Sequence, residues 1–207
     1  LSTVLLDATQ PWQFALSTAA GTDALAHAVR LLTDADPDAV VTSLDGVGAF
    51  DHIKRAGFLK QLHKTPALQQ LLPLASALYG QKSRFVWRDA EGESHFVEQG
   101  EGGEQGDPLM PALYALAQHD ALAEASTKLQ QGEWLFAFLD DLYLVTSKQR
   151  AAEAFKDLAR TVEERAGVRT HLGKLKAWCR GGGAPPAGFG EFPGGSWTAA
   201  NSEEKNG

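Results

Sequence analysis

Between Leu135 and Val145 two short apolar runs, Leu135-Phe136-Ala137-Phe138-Leu139 and Leu142-Tyr143-Leu144-Val145, meet at two adjacent carboxylates, Asp140 and Asp141. No helical period runs through either segment, and each has the length and composition of a buried strand. The join predicts a hairpin, although it contains none of the Gly, Asn or Pro residues that usually turn one. Two like charges at the tip of a mostly buried hairpin repel each other and resist desolvation. They fit a solvated turn, or a site for a hard cation such as magnesium, which takes oxygen ligands. The rest of the sequence decides between these.

With 207 residues, 43% hydrophobic and 22% charged, the chain can bury a core as one globular domain, or a domain with a tail. The single cysteine, Cys179, excludes an internal disulfide framework and fits a reducing compartment. No apolar run reaches membrane-spanning length and no signal-peptide pattern is present, so an intracellular protein, nuclear or cytoplasmic and not secreted, is expected. The chain opens on Leu1 rather than Met, and a piece of a longer polypeptide is expected. Its net charge of −7 argues against nucleic-acid binding by bulk electrostatics, because phosphate contacts need Lys and Arg. It leaves room for a fragment that carries the catalytic acids of a larger nucleic-acid enzyme.

Upstream, Thr22 or Asp23 is placed to cap a helix whose apolar positions are Leu25, Val29 and Leu32, and Pro37 ends it. Ala39 to Leu44 reads as a buried strand that stops at Asp45. Asp45-Gly46-Val47-Gly48-Ala49-Phe50-Asp51 then opens a helix that turns Ile53, Leu59 and Leu62 inward. Asp51 reads as a helix N-cap. Asp45 has no capping duty, and α/β folds place sites at the carboxyl ends of strands. Ala67 to Tyr79 predicts a helix with Leu71, Leu74 and Leu78 on its inner face and Pro73 as a kink. Arg84–Trp87 and Ser94–Val97 predict a hairpin.

The Gly-rich stretch from Gln99 to Pro111 lacks the Lys-Ser/Thr of a phosphate-binding P-loop, and Glu101, Glu104 and Asp107 would repel phosphate. It reads as backbone that something approaches closely, leading into a long helix capped by Asp107 and Pro108. That helix runs to about Leu129, with Leu109, Leu113, Leu116 and Ala117 inward. After the acidic hairpin, Ala151, Phe155, Leu158 and Val162 stripe another helix, which Gly167 caps. A strand over Val168–Leu172 and then Lys174 follow. From Arg180, Gly and Pro predict a linker or irregular tail. The six histidines lack metal-ligand spacing, and neither a Gly-x-Ser-x-Gly elbow nor a base partner for Cys179 is present.

If the strand ending at Asp45 neighbours the hairpin, three carboxylates converge on one sheet edge. Two metal ions at such an edge would serve an in-line phosphoryl displacement. At this point the chain resembles the reverse transcriptases. Asp45 to Asp51 looks like their motif A and Gln105-Gly106-Asp107-Pro108-Leu109-Met110-Pro111 like motif B. Phe138-Leu139-Asp140-Asp141 looks like motif C, and Gly167 to Lys174 resembles motif D. The four occur in the family's order between about Phe14 and Trp178, and the Gln-Gly-Asp-Pro-Leu form most resembles enzymes of non-LTR retrotransposons. Met110, His171 and Phe138 depart from the commoner Ser, Asn and Tyr, and none of these is a metal ligand.

The resemblance implies an α+β polymerase palm: a ferredoxin-like antiparallel sheet packed on helices, with part of the fingers. Residues 1–38 would be partial fingers, 39–178 the palm, and 179–207 a linker or the start of a thumb connection. It implies RNA-directed DNA synthesis, with an RNA template, a DNA primer and dNTPs as partners, no membrane, and fingers and thumb in the remainder of its own polyprotein. Asp45, Asp140 and Asp141 would bind two Mg2+ ions, or Mn2+. Phe50 would be the steric gate against a 2′-hydroxyl, beside Gly48 and Ala49. Gln105 and Gly106 would line the nucleotide and template pocket, and Lys174 would approach the triphosphate. An isolated fragment is expected to polymerise poorly or not at all. An RNA-dependent RNA polymerase palm and a catalytically silent remnant acting as a structural or binding module are the alternatives.

Overall fold

The computed structural model describes residues 2–16, 18–104 and 106–199. Its frame is a five-stranded sheet. The strands are β1 (Val40–Leu44), β4 (Trp134–Phe138), β5 (Asp141–Thr146), β6 (Lys176–Cys179) and β7 (Ser196–Ala199), in the spatial order β4-β5-β1-β6-β7. All neighbouring pairs are antiparallel except β6 with β7. A separate two-stranded ribbon, β2 (Ser83–Arg88) with β3 (Ser94–Gln99), forms where a hairpin is predicted. The fold is mixed α+β, with a mostly antiparallel sheet packed on helices.

Alternation along the strands assigns the two faces. Val40, Leu44, Leu135, Ala137, Leu142 and Leu144 belong to the main core. There they meet α6 (Met110–Ser126) and α7 (Ala151–Ala166). Phe136, Val145, Val41 and Tyr143 point the other way, onto Leu25, Val29 and Leu32 of α2 (Gly21–Ala35). Helix α6 is buried nearly all round, because α7, α4 (Arg55–Lys64) and α1 (Ser2–Thr9) surround it on the sheet. Residues 12–14 extend the sheet beside β4. Ala137 donates to the Trp12 carbonyl and Phe14 donates to the Ala137 carbonyl, both at 2.8 Å.

Several elements differ from the sequence expectation. The helix after Asp45 is broken in two: a single turn, α3 (Ala49–His52), and then α4. Gly48, with φ 51°, is the N-cap of α3, and Asp51 lies inside it, so Asp51 is not the cap. Helix α2 is led by Ala20 in the left-handed region rather than capped by Thr22 or Asp23. The segment Pro66–Tyr79 is a 3-10 stretch followed by α5 (Leu72–Tyr79), with Pro73 in the first turn of α5 instead of a kink. A shift in helical phase goes with this change. Leu68, Ala75 and Tyr79 are buried, whereas Leu74 and Leu78 are about half exposed.

Long helix α6 begins at Met110, after a turn in which the Asp107 carboxylate accepts from the Leu109 N–H at 2.8 Å. The expected strand over 168–172 is reduced to one bridge, Thr170 with Gly46, and the strand proper starts at Lys176. The Gly/Pro-rich tail is not wholly irregular. Phe189 and Phe192 pack edge-on against each other on the core, and Ser196–Ala199 adds the fifth strand. Gly167 caps α7 at φ 82°, as its sequence position predicts. Among the described residues, no helix is long and apolar enough to cross a membrane.

Candidate active site

Strand β1 ends next to the acidic hairpin. Its register with β5 runs from Val40–Thr146 to Leu44–Leu142, so Asp45 leaves the sheet one residue beyond the last pair, beside Asp141. Phe138 pairs with Asp141, and only Leu139 and Asp140 form the loop. A two-residue hairpin loop needs positive φ at its first central residue in either primed turn type. Leu139 takes that conformation, with φ 54°, in place of the missing Gly or Asn. A bulky residue there is strained, as backbone at functional sites often is.

The chain from 169 to 174 runs back along the other side of Asp45. Val47 donates to the Arg169 carbonyl and His171 to the Asp45 carbonyl, each at 2.8 Å. A 3-10 turn, Leu172–Lys174, then brings the Lys174 Nζ to 2.6 Å from Asp45 Oδ2. The Lys174 head is 62% solvent-exposed and the Asp45 carboxylate 22%, so the pair lies at the mouth of the site. Hydrogen bonding to Asp45, and the charges of Asp45, Asp140 and Asp141, push the Lys174 ammonium above its ordinary value.

The three acids share one electrostatic field. Desolvation first, then the charges of Asp140 and Asp45, push the Asp141 carboxyl above its usual range, and Lys174 opposes the shift. Beneath them the phenol of Tyr114, fully buried in α6, is pushed far up by burial and then by Asp140, Asp141 and Asp45. Phe50 lies on top of Tyr114, with ring centroids 4.6 Å apart and planes 22° from parallel. The predicted gate is thus half-buried on an aromatic floor, beside buried Ala49 and exposed Gly48.

The Gly-rich loop meets the back of this segment. Gly102 donates to the Ile53 carbonyl at 2.8 Å and Gly103 to the Phe50 carbonyl at 3.0 Å. At Gly102, with φ 71°, a Cβ would overlap the Asp51 carbonyl. The close approach that the glycines predict is therefore made by the chain's own α3. Gly106, at φ 96°, is exposed with open space around it, and Gln105 lies outside the described residues.

Two residues that sequence reasoning missed hold this loop. Arg55 is buried; its guanidinium donates to the Gly102 and Gln81 carbonyls at 2.8 Å and to Ser83 Oγ at 3.0 Å. The Tyr79 hydroxyl donates to Asp107 Oδ2, and burial followed by that hydrogen bond pushes its phenol up to about 12. The visible signal for Arg55 was a charge at a position where the short helix needed an inward residue.

Asp45, Asp140 and Asp141 offer hard oxygen donors, and their mutual repulsion is what a divalent cation relieves. Their chemistry therefore fits Mg2+ or Mn2+. Among the described residues, however, no group of three His, Cys, Asp or Glu side chains is drawn together closely enough to hold a metal, and one Asp45 oxygen is taken by Lys174.

The chain is similar in fold to telomerase from Candida albicans, solved in complex with a TWJ fragment of telomeric RNA: TM-score 0.65, 11% identity, covering 84% of this chain and 34% of that one. It is also similar to apo telomerase from Candida tropicalis truncated from its C-terminal domain: TM-score 0.61, 12% identity, covering 84% and 38%. It thus spans about a third of the length of these chains. No curated protein matches it by sequence. Residues 1–202 match the family described as reverse transcriptase (RNA-dependent DNA polymerase), and the chain belongs to that family.

Proposed function

We propose that this chain is the palm, with part of the fingers, of an RNA-directed DNA polymerase that joins dNTPs to a primer 3′-hydroxyl on an RNA template. One observation carries the reading: the end of β1 and the β4–β5 turn put Asp45, Asp140 and Asp141 in one field, with Lys174 reaching Asp45. The three carboxylates would hold two divalent ions, which when bound would lower the pKa of the primer hydroxyl and neutralise the triphosphate. The 3′-hydroxyl loses its proton to water, its oxygen bonds to the α-phosphorus as the bond to pyrophosphate breaks, and the Lys174 ammonium supplies a proton to the departing oxygen. Phe50, braced by Tyr114, blocks a 2′-hydroxyl. Gly48 and Ala49 border the sugar, and Gln105 and Gly106 line the nucleotide and template pocket.

The Gln-Gly-Asp-Pro-Leu form of motif B supports a non-LTR retrotransposon as the source, with fingers and thumb supplied by the rest of its polyprotein. Primer extension by the full-length protein, beside an Asp140→Ala variant, tests the activity. Extension with dNTPs in preference to NTPs, lost in the variant, is the expected result. Equal extension by both proteins, or preference for NTPs, would overturn it. The Asp45–Lys174 pair and the open arrangement of the acids favour a second reading, a silent binding module, for which neither protein extends a primer.

A further inference from the structure

Gln13 is only 3% exposed, and its side chain reaches the acidic hairpin from 126 residues away in sequence. Its Oε1 accepts from the Leu139 N–H at 2.7 Å and from the Ala15 N–H at 3.2 Å. Both donors are backbone amides, so the orientation of the side-chain amide is determined by its partners. Leu139 is the residue in the left-handed conformation, and Asp140 is the next in the chain. The flanking backbone is tied down as well, because residues 12–14 bridge Ala137 in a parallel register. Meanwhile Gln13 Nε2 is buried with no hydrogen-bond partner. A buried donor left unpaired is unfavourable, and a core chosen for stability alone would avoid it.

We infer that Gln13 is a positioning residue for the acidic turn, holding Leu139 in its strained conformation so that Asp140 and Asp141 are presented in a fixed geometry. The backbone N–H of Leu139 donates to Gln13, and without that acceptor only the Phe138–Asp141 pairing would hold the strained residue at positive φ. Gln13 supplies that acceptor from a segment locked to β4. Groups that orient metal ligands in this way typically change metal affinity by about 10–100-fold when removed. The metal part of this inference rests on the polymerase reading; the effect on the turn does not.

The test is Gln13→Met, which keeps shape, removes the acceptor and also removes the orphaned donor. In the full-length protein, hydrogen exchange at the Leu139 amide is expected to accelerate by about tenfold or more, with exchange in α6 and α7 unchanged. Half-saturating Mg2+ for primer extension is expected to rise by about tenfold, with dNTP KM little changed. A wild-type protein that extends no primer would overturn the polymerase reading while the exchange result still tests Gln13. Unchanged Leu139 exchange in Gln13→Met would overturn the positioning role. Exchange that accelerates throughout the sheet would also overturn it, because it would mark a general packing role.

Discussion

Lys174 Nζ lies 2.6 Å from Asp45 Oδ2, so the acid that leads out of β1 is already paired with a cation. A divalent ion binding to Asp45 must displace that ammonium or share the carboxylate with it. Lys174→Gln is therefore expected to bind Mn2+ or Mg2+ about two- to tenfold more tightly, since one competing charge at hydrogen-bond distance is removed. Stability of the metal-free protein should barely change, because the lysine head is exposed. Calorimetric titration of the two proteins checks this. Primer extension should nonetheless fall, which separates competition for the acid from help to the leaving group.

The raised Asp141 carboxyl makes stability depend on pH with a definite sign. The folded state holds this proton to a higher pH than the unfolded chain, whose value is near 3.8. The favourable contribution is thus complete at low pH and is lost as pH rises through the folded value. Without metal, thermal unfolding between about pH 4 and pH 7 should show this group losing stability upward, and Asp141→Asn should flatten that component. Added Mg2+ should raise the melting temperature at neutral pH and lose its effect as the acids protonate.

Phe50 and Tyr114 form a two-ring stack whose lower member is fully buried. Truncating it in Tyr114→Ala should cost about 3–5 kcal/mol by cavity formation. Tyr114→Phe should cost less, about 1–3 kcal/mol, since it leaves the buried Gln118 Nε2 without the hydroxyl it donates to at 3.4 Å. Phe50→Val should fold normally and raise NTP incorporation relative to dNTP by about tenfold or more, measured by competitive primer extension. Unchanged sugar discrimination would remove Phe50 from the role of gate.

Tyr79 and Asp107 tie α5 to the turn before α6. Tyr79→Phe removes a hydrogen bond to a carboxylate and should destabilise the protein by about 1.5–3 kcal/mol in urea titration. Limited proteolysis should then cut first within residues 100–109, because that loop loses its tie to Tyr79 while its bonds to Arg55, Ile53 and Phe50 remain.

The hairpin, the strand at Asp45 and the striped helix after the hairpin were legible because each declares itself over a few residues. Two continuous apolar runs of strand length flank the acids in Leu135–Val145, and a 3.6 period runs through Ala151–Val162. What stayed hidden depends on distant partners. Leu74 and Leu78 have the spacing of a buried stripe, yet the 3-10 turn ahead of Pro73 rotates them outward. Ser196–Ala199 has no strong strand signal and forms one because β6 offers an open edge. The acids were readable as a set, since Asp45 and the Asp140–Asp141 pair each end a run that reads as a buried strand. Gln13 and Tyr79 were not, because neither position says which amide or carboxylate it meets a long way off, and Arg55 signals only a charge at an inward-facing position.

Strand β1 sits in the middle of the sheet, and both of its neighbours come from much later in the chain. Its pairing with β5 closes a loop of roughly a hundred residues, the kind of non-local contact that slows folding. During synthesis Asp45 would leave the ribosome long before Asp140, and β6 later still. The three acids thus come together only after β5 has been made, and until then Asp45 is carried by a strand with neither neighbour in place.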